Sequence, residues 1–386
     1  MINLNDKLKK YNYFRILTIV VFIVLGIIFG FFVFIDYFGK DVFELEFIQY
    51  FIKLLVFLLI YLITYGLLNF LSVIWHELGH LIFGLKAKMK FISFNVLGFT
   101  FIFDNNKIKV TKEAKIPGIL GYCNMATDSK KKYNKNEIKL FYMGGVIFHI
   151  IAVIVTVTIV VFIHNKYLKY IGILNIIINM YLALYNLIPS INKSGTNTDA
   201  LHLKYYYDDE EYINTVSRFQ QLQILIAKGC NLKDIDESYF TMPKKIKTNT
   251  DLLNAMIYTD YLSSNEQYKE SFEYTKKILD EAKTILTKQD VITLKIQLIN
   301  NIFYCGDDLE QIKNIWDDDI KRYLDLMGDV LPICIGINYL YATLIEKNEI
   351  NSKRYLKQFQ QLNRKRYDKY MIEDVDKIIE DVNKRQ

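Results

Sequence analysis

LSVIWHELGHLIFGL (residues 71–85) sets two histidines and a glutamate in the middle of an apolar run. His76 and His80 are four residues apart, so on a helix they share one face and can hold one metal ion. Neutral imidazoles suit Zn²⁺. Glu77 lies one residue along and reaches a water on that metal, where a general base belongs. Gly79 keeps the helix narrow there, so that another backbone or a substrate can come close. The HExxH pattern alone is short and recurs by chance; its setting sharpens it. An ionisable residue inside a membrane helix costs about 2.5 kcal/mol or more. Lys86, ten residues beyond His76, marks the end of the run, which puts His76 about 15 Å inside it. The bland alternative is a helix that ends here, with these side chains reaching the interface.

Working outward, the chain divides by composition. Of its 386 residues 52% are hydrophobic, but the long apolar runs all lie before about residue 190, and the remainder is charged and tyrosine-rich. The net charge of +6 is modest, and its lysines sit beside the apolar runs as membrane topology requires. No nucleic-acid motif accompanies them, so a nucleic-acid partner is not expected. Cys123, Cys230, Cys305 and Cys334 are scattered without CxxC spacing, which argues against a cysteine zinc site or a disulfide framework and suits a reducing compartment.

Ile16 to Ile35 is long enough to cross a bilayer, and Lys7, Lys9, Lys10 and Arg15 before it keep the N-terminus inside as a retained signal anchor. Asp36, Asp41, Glu44 and Glu46 suit the outside face. The second run, from Phe47 to Leu85, is too long for one untilted crossing, so it extends beyond the bilayer or breaks near Gly66. Lys86, Lys88 and Lys90 and a basic loop over 87–139, closing with DSKKKYNKNEIK, mark the cytoplasmic side. A third span is expected over Leu140–Ile163 and a fourth over Tyr170–Ile188, with both termini inside. Within the basic loop, FISFNVLGFTFIF, the turn Asp104-Asn105-Asn106 and KIKVT read as a β-hairpin.

Beyond residue 200 three segments look alike, with polar turns at Asn265-Glu266, Asp307-Asp308 and Asn348-Glu349, about 41 residues apart. Each reads as an α-hairpin, and a fixed period implies a stacked, tetratricopeptide-like array; generic antiparallel helices are the alternative. PKKIKTNTD (243–251) is the expected linker. The expected fold is therefore an all-α polytopic membrane protein of about four spans with a small β-hairpin, followed by an α-helical cytoplasmic domain. The units are 1–46 (anchor and external loop), 47–200 (metal-bearing core) and 201–386 (helical domain).

A catalytic zinc needs a third protein ligand and an open position. The end of the fourth span, NMYLALYNLIPSINKSGTNTDALHL, offers one. Asn175, Asn179 and Asn186 fall within about 40° of one another on a helix, a polar stripe that either serves the site or glues spans together. Pro189 ends the helix, and at this depth the freed backbone must be buried or line a cavity. Asp199 follows in a loop of small polar residues able to fold back toward the histidines.

With HELGH (76–80) in one span and NLIP…TDA (186–200) closing a later one, the chain resembles the site-2 protease family of intramembrane zinc metalloproteases. MGGVIFH (143–149) sits where that family has a glycine-rich helix entrance. IPGILGYCNM (116–125) and FQQLQILIAKGCNLKDI (219–235) resemble a group of such proteins from low-GC Gram-positive bacteria. The resemblance spans roughly residues 54 to 240. It implies Zn²⁺ on His76, His80 and Asp199, Glu77 as general base, and Asn186 holding the substrate or the developing oxyanion. His149 stands where asparagine is common, and it either faces the substrate or packs between helices. The longer interval from Pro189 to Asp199 and Ala200 in place of glycine depart from the family, which leaves Asp128, Asp208 and Asp209 as rival third ligands. His164 and His202 are expected at the solvated interface. The implied substrate is a membrane-embedded regulator or a small precursor peptide, with a cytoplasmic protein as a further partner of the helical domain. The rivals are a metalloprotease with a cytosolic-side cleft and a glutamate third ligand, and an inactive protease-like membrane scaffold.

Overall fold

A computed structural model describes residues 4–39, 47–104, 107–112, 120–128, 131, 133–191, 196–227, 230–306, 309–364, 367 and 369–386. Among these, four helices are long and apolar enough to cross a membrane: α1 (Leu4–Phe38), α2 (Phe47–Lys86), α3 (Lys135–Phe162) and α4 (Lys166–Leu187). This is a multi-pass membrane architecture, as its apolar runs require. α2 has 40 residues, about 60 Å, against a hydrocarbon core of about 30 Å. It runs on through Gly66 without a break, and a β-carbon there would meet nothing within 4 Å. The acidic loop residues Asp41, Glu44 and Glu46 lie outside the described residues.

α3 and α4 begin as their sequences dictate. Asn134 and Glu137 form a reciprocal capping box, and the Asn165 side chain accepts from the Tyr167 and Leu168 backbone N–H groups; each such cap is worth about 1 kcal/mol. α2 and α3 approach very closely. A β-carbon on Gly79 would collide with the Gly144 carbonyl, and one on Gly144 with the Gly79 backbone. The close backbone approach expected of Gly79 is therefore to α3.

The β structure is larger than one hairpin. β1 (Lys90–Val96), β2 (Phe99–Asp104), β3 (Lys107–Lys112) and β4 (Gly121–Ala126) form an antiparallel sheet in the order β3-β2-β1-β4. FISFNVLGFTFIF, read from sequence as one strand, is itself a hairpin, pairing Val96 with Phe99 and Ser93 with Ile102. Leu97 (φ +51°) and Gly98 (φ +86°) make its turn, with left-handed backbone at both positions. Leucine rarely adopts that conformation, so sequence gave no warning. The second turn joins β2 to β3 with Asp104 opposite Lys107; Asn105 and Asn106 lie outside the described residues, as does IPGI (116–119). β4 packs on α2 and completes the sheet beside the histidines.

After α4 the chain forms α5 (Asp199–Asp208), which packs on α3, and α6 (Tyr212–Ala227), which packs on β4. Leu201, Tyr205 and Ile213 share a core with Ala87, Met125, Ile138 and Phe141, which ties this segment to the membrane-side helices. The rest is helical: α7 (Asn249–Ser264), α8 (Tyr268–Glu281), α9 (Lys288–Cys305), α10 (Gln311–Ile315), α11 (Asp318–Met327), α12 (Ile333–Leu340), α13 (Glu349–Gln361) and α14 (Lys369–Lys384). α7 and α8 turn at Asn265-Glu266, and Asn348 caps α13, in line with the first and third expected hairpins. Asp307 and Asp308 lie outside the described residues, and the helix following them, α10, has only five residues. The second expected hairpin is thus a long helix followed by two short ones, and the array departs from a regular repeat.

Candidate metal centre

α2 carries His76 and His80 one turn apart, both buried. α5 brings Asp199 onto them from the other side. Asp199 Oδ2 lies 3.2 Å from His76 Nε2 and 3.4 Å from His80 Nε2, and the two Nε2 atoms are 3.1 Å apart. Three atoms with lone pairs thus converge on one point, and among the described residues this is the one group of three histidine, cysteine or carboxylate ligands able to hold a metal ion.

The hydrogen bonding fits a cation at that point. His80 Nδ1 is 2.8 Å from the Phe141 carbonyl oxygen, an obligate acceptor, so Nδ1 carries the proton and Nε2 is left bare. Asp199 Oδ2 is buried yet accepts no hydrogen bond of good geometry. One nitrogen and one carboxylate oxygen with nothing to share, plus a second imidazole nitrogen at 3.1 Å, form a donor set suited to zinc.

Close packing sets His76. A β-carbon on Gly145 would collide with the His76 ring, so only glycine allows α3 to lie flat against it. The His149 ring covers another side, 5.0 Å from the His76 centroid. Glu77 is buried between the two histidines in sequence and turns toward the sheet, where a β-carbon on Gly121 of β4 would come within 3.2 Å of its Cγ.

The other residues singled out in the sequence fall into two groups. His149 is 1% exposed, and its Nδ1 donates to Asn179 Oδ1 at 2.8 Å. The direction is fixed because Asn179 Nδ2 donates to the Asn175 carbonyl oxygen (2.9 Å) and to Ser72 Oγ (3.1 Å). Asn175 in turn donates to Thr156 Oγ1 at 2.8 Å. Asn175 and Asn179 therefore join helices, and His149 is held between them and His76. Asn186 donates back to the Leu182 carbonyl oxygen of its own helix at 3.0 Å. Asp208 pairs with Lys204, and Asp209 accepts from the Glu211 backbone N–H; neither joins the histidines, nor does Asp128. His164 is exposed, as expected. His202 differs from expectation: it stacks on Tyr142 with centroids 5.5 Å apart and meets the Tyr212 hydroxyl at 3.0 Å, because α5 turns it into the protein.

Sequence reading did not single out Ser72 or Thr156; Gly145 stood within MGGVIFH (143–149), but its contact with the His76 ring was not foreseen. Gly145 carried a signal, since two adjacent glycines in a membrane span point to close helix contact. The family model described as Peptidase family M50 matches residues 65–316, which takes in both histidines, Glu77 and Asp199. No curated protein and no solved structure matches the chain.

Proposed function

The chain belongs to peptidase family M50, and from that premise we propose that it is a zinc endopeptidase cutting a membrane-embedded regulator or a small precursor peptide within or beside the bilayer. The observation that carries this reading is the convergence of His76, His80 and Asp199 on one point, with His80 Nε2 bare and Asp199 Oδ2 without a proton to accept. Zinc held by these three residues would supply Lewis acidity, polarising the scissile carbonyl and making water acidic enough to be deprotonated near neutral pH.

Glu77 takes the proton from the attacking water. The new bond joins the water oxygen to the carbonyl carbon; the C–N bond then breaks, and Glu77 passes the proton to the leaving amine nitrogen. Burial keeps bulk water away from that carboxyl. Asn186 holds the substrate once it gives up its bond to the Leu182 carbonyl, and His149, beside the His76 ring, borders it. A helical substrate hides its peptide groups and must unwind. β4 is an edge strand whose Gly121 lies against Glu77, so strand addition along β4 would present an extended peptide to the base.

The lysines around the apolar runs support an arrangement with both termini cytoplasmic, an anchor over 1–46, a proteolytic core over 47–200 and a helical domain over 201–386 that offers a surface to a cytoplasmic protein. The rival with a glutamate third ligand loses its motive once Asp199 lies against both histidines. The inactive scaffold gives no reason for a buried Glu77 between two metal ligands.

The test is co-expression of the wild type or Glu77→Gln with a panel of tagged single-span proteins and precursor peptides. A substrate cut by the wild type and captured uncut by Glu77→Gln supports the reading; cleavage unchanged in Glu77→Gln contradicts it.

A further inference from the structure

The first span lies outside the matched residues 65–316, yet it touches the segment that delivers Asp199. Just before Asp199 two short stretches of chain pair as a neck. Ser190 and Thr198 pair through the Thr198 N–H to the Ser190 carbonyl oxygen (3.0 Å), and the Ser190 N–H donates to Thr198 Oγ1 (3.1 Å). Ile191 bridges to Asn197. The Thr198 hydroxyl donates to the Ile188 carbonyl oxygen at 2.9 Å, and, although Thr198 is the N-cap residue of α5, it makes no side-chain cap to that helix. Its bonding capacity goes to closing the neck. Asp199 is the next residue and the first of α5, so where the neck sits decides where its carboxylate sits.

One cationic side chain grips this neck from another helix. Arg15 of α1 donates from Nη1 to the Ile191 carbonyl oxygen at 3.0 Å, and its guanidinium lies 5.4 Å from the Tyr185 ring centroid, at the end of α4. Tyr11, one turn earlier, lines a cavity of about 410 Å³ together with Pro189 and Ala200, on either side of the same neck. At the far end of α1 a second, independent attachment holds Asp36 to Lys166 (3.0 Å) and to Tyr170 (2.6 Å). Between these ends most of α1 is exposed to its surroundings. Tyr61 also donates to the Gly26 carbonyl oxygen in mid-helix (3.2 Å), and of these attachments it is the Arg15 one that reaches the residues just before Asp199.

We propose that Arg15 is a positioning residue for the metal centre: through the Ile191 carbonyl it holds the neck where Ser190 and Ile191 pair with Thr198 and Asn197, and with it Asp199, against His76 and His80. The first span is then a working part of the site as well as an anchor. A guanidinium suits this place, because it can donate to the carbonyl while its plane lies over Tyr185, and methionine could keep the contact but not the bond. The inference rests on the zinc-protease reading, and the experiment separates the two.

The full-length protein in detergent is loaded with zinc, and the rate of zinc loss to a chromophoric chelator is measured alongside the melting temperature. Arg15→Met should lose zinc about tenfold faster than the wild type, as loss of a group that orients a ligand typically does, with little change in melting temperature. Arg15→Lys, which keeps the charge that orients the span and one donor for Ile191, should fall between them. Asp36→Asn, which frees the other end of α1, should release zinc at the wild-type rate. Equal zinc loss in Arg15→Met and the wild type overturns the proposal, and so does equal acceleration in Arg15→Met and Asp36→Asn, which would mean general loosening of α1. A wild type that binds no zinc, or a His76→Ala variant that binds as much as the wild type, overturns the zinc reading itself and this inference with it. Normal zinc binding with an unaffected Arg15→Met leaves the zinc reading standing and removes only the role of Arg15.

Discussion

Two polar clusters lie a few ångströms apart in the same bundle of apolar helices, and they treat burial in opposite ways. In the chain His149–Asn179–Asn175–Thr156 each donor meets an acceptor: His149 Nδ1 gives to Asn179, Asn179 gives to Ser72 and to the Asn175 carbonyl, and Asn175 gives to Thr156. In the cluster His76–His80–Asp199 the bare Nε2 of His80 faces the Asp199 carboxylate at 3.4 Å, acceptor against acceptor. A polar group away from water costs several kcal/mol unless it is partnered. The first cluster finds its partners within the protein. In the second, Asp199 Oδ2 has no hydrogen-bond partner, as suits a metal ligand. Composition alone would rank both as polar residues in or beside membrane spans; the direction of each hydrogen bond separates a joint between helices from a candidate metal centre.

Substitutions that break one cluster and spare the other sharpen this difference. The largest effect is expected for Glu77→Gln, which should lower peptide hydrolysis by about 10² to 10⁴ while leaving the zinc content of the purified protein unchanged. His80→Ala should remove zinc and activity together, and chelation of the wild type should reproduce the loss, with activity returning on zinc addition. Gly145→Ala drives a methyl group into the His76 ring; overpacking of this kind costs about 1–3 kcal/mol, so the melting temperature and zinc affinity should both fall. The smallest effect belongs to the satisfied cluster. Asn179→Leu leaves His149 Nδ1 and Ser72 without a partner, yet hydrogen bonds between membrane helices average only about 0.6 kcal/mol, so a small drop in melting temperature with full zinc content is expected. Zinc lost from Asn179→Leu would merge the two clusters into one and break the distinction.

The pairing of His76 and His80 was legible because HELGH carries its geometry in its spacing: four residues on a helix is one turn. Asp199 was harder, because the loop before it has no regular period, and its return to the histidines depends on Thr198 and Ser190 closing a neck that no local pattern announces. The apolar spans were legible from length and flanking charge. The sheet was misread where Leu97 adopts a left-handed conformation, which side-chain type does not foretell, and β4 was missed because GYCNMA has little of the aromatic and β-branched content that marks a strand. The partnership of His149 with Asn179 was hidden for a different reason. An asparagine stripe on a helix reads the same whether it faces a substrate or a neighbouring helix, and only the contacts to Ser72 and Thr156 decide.

The central claim is that Asp199 completes a zinc site built on His76 and His80. The most direct test is the zinc content of the detergent-purified full-length protein in three forms: wild type, Asp199→Ala and His76→Ala. The account predicts about one zinc per chain in the wild type and loss from both variants. Zinc retained in Asp199→Ala but lost from His76→Ala would place the third ligand elsewhere and contradict it.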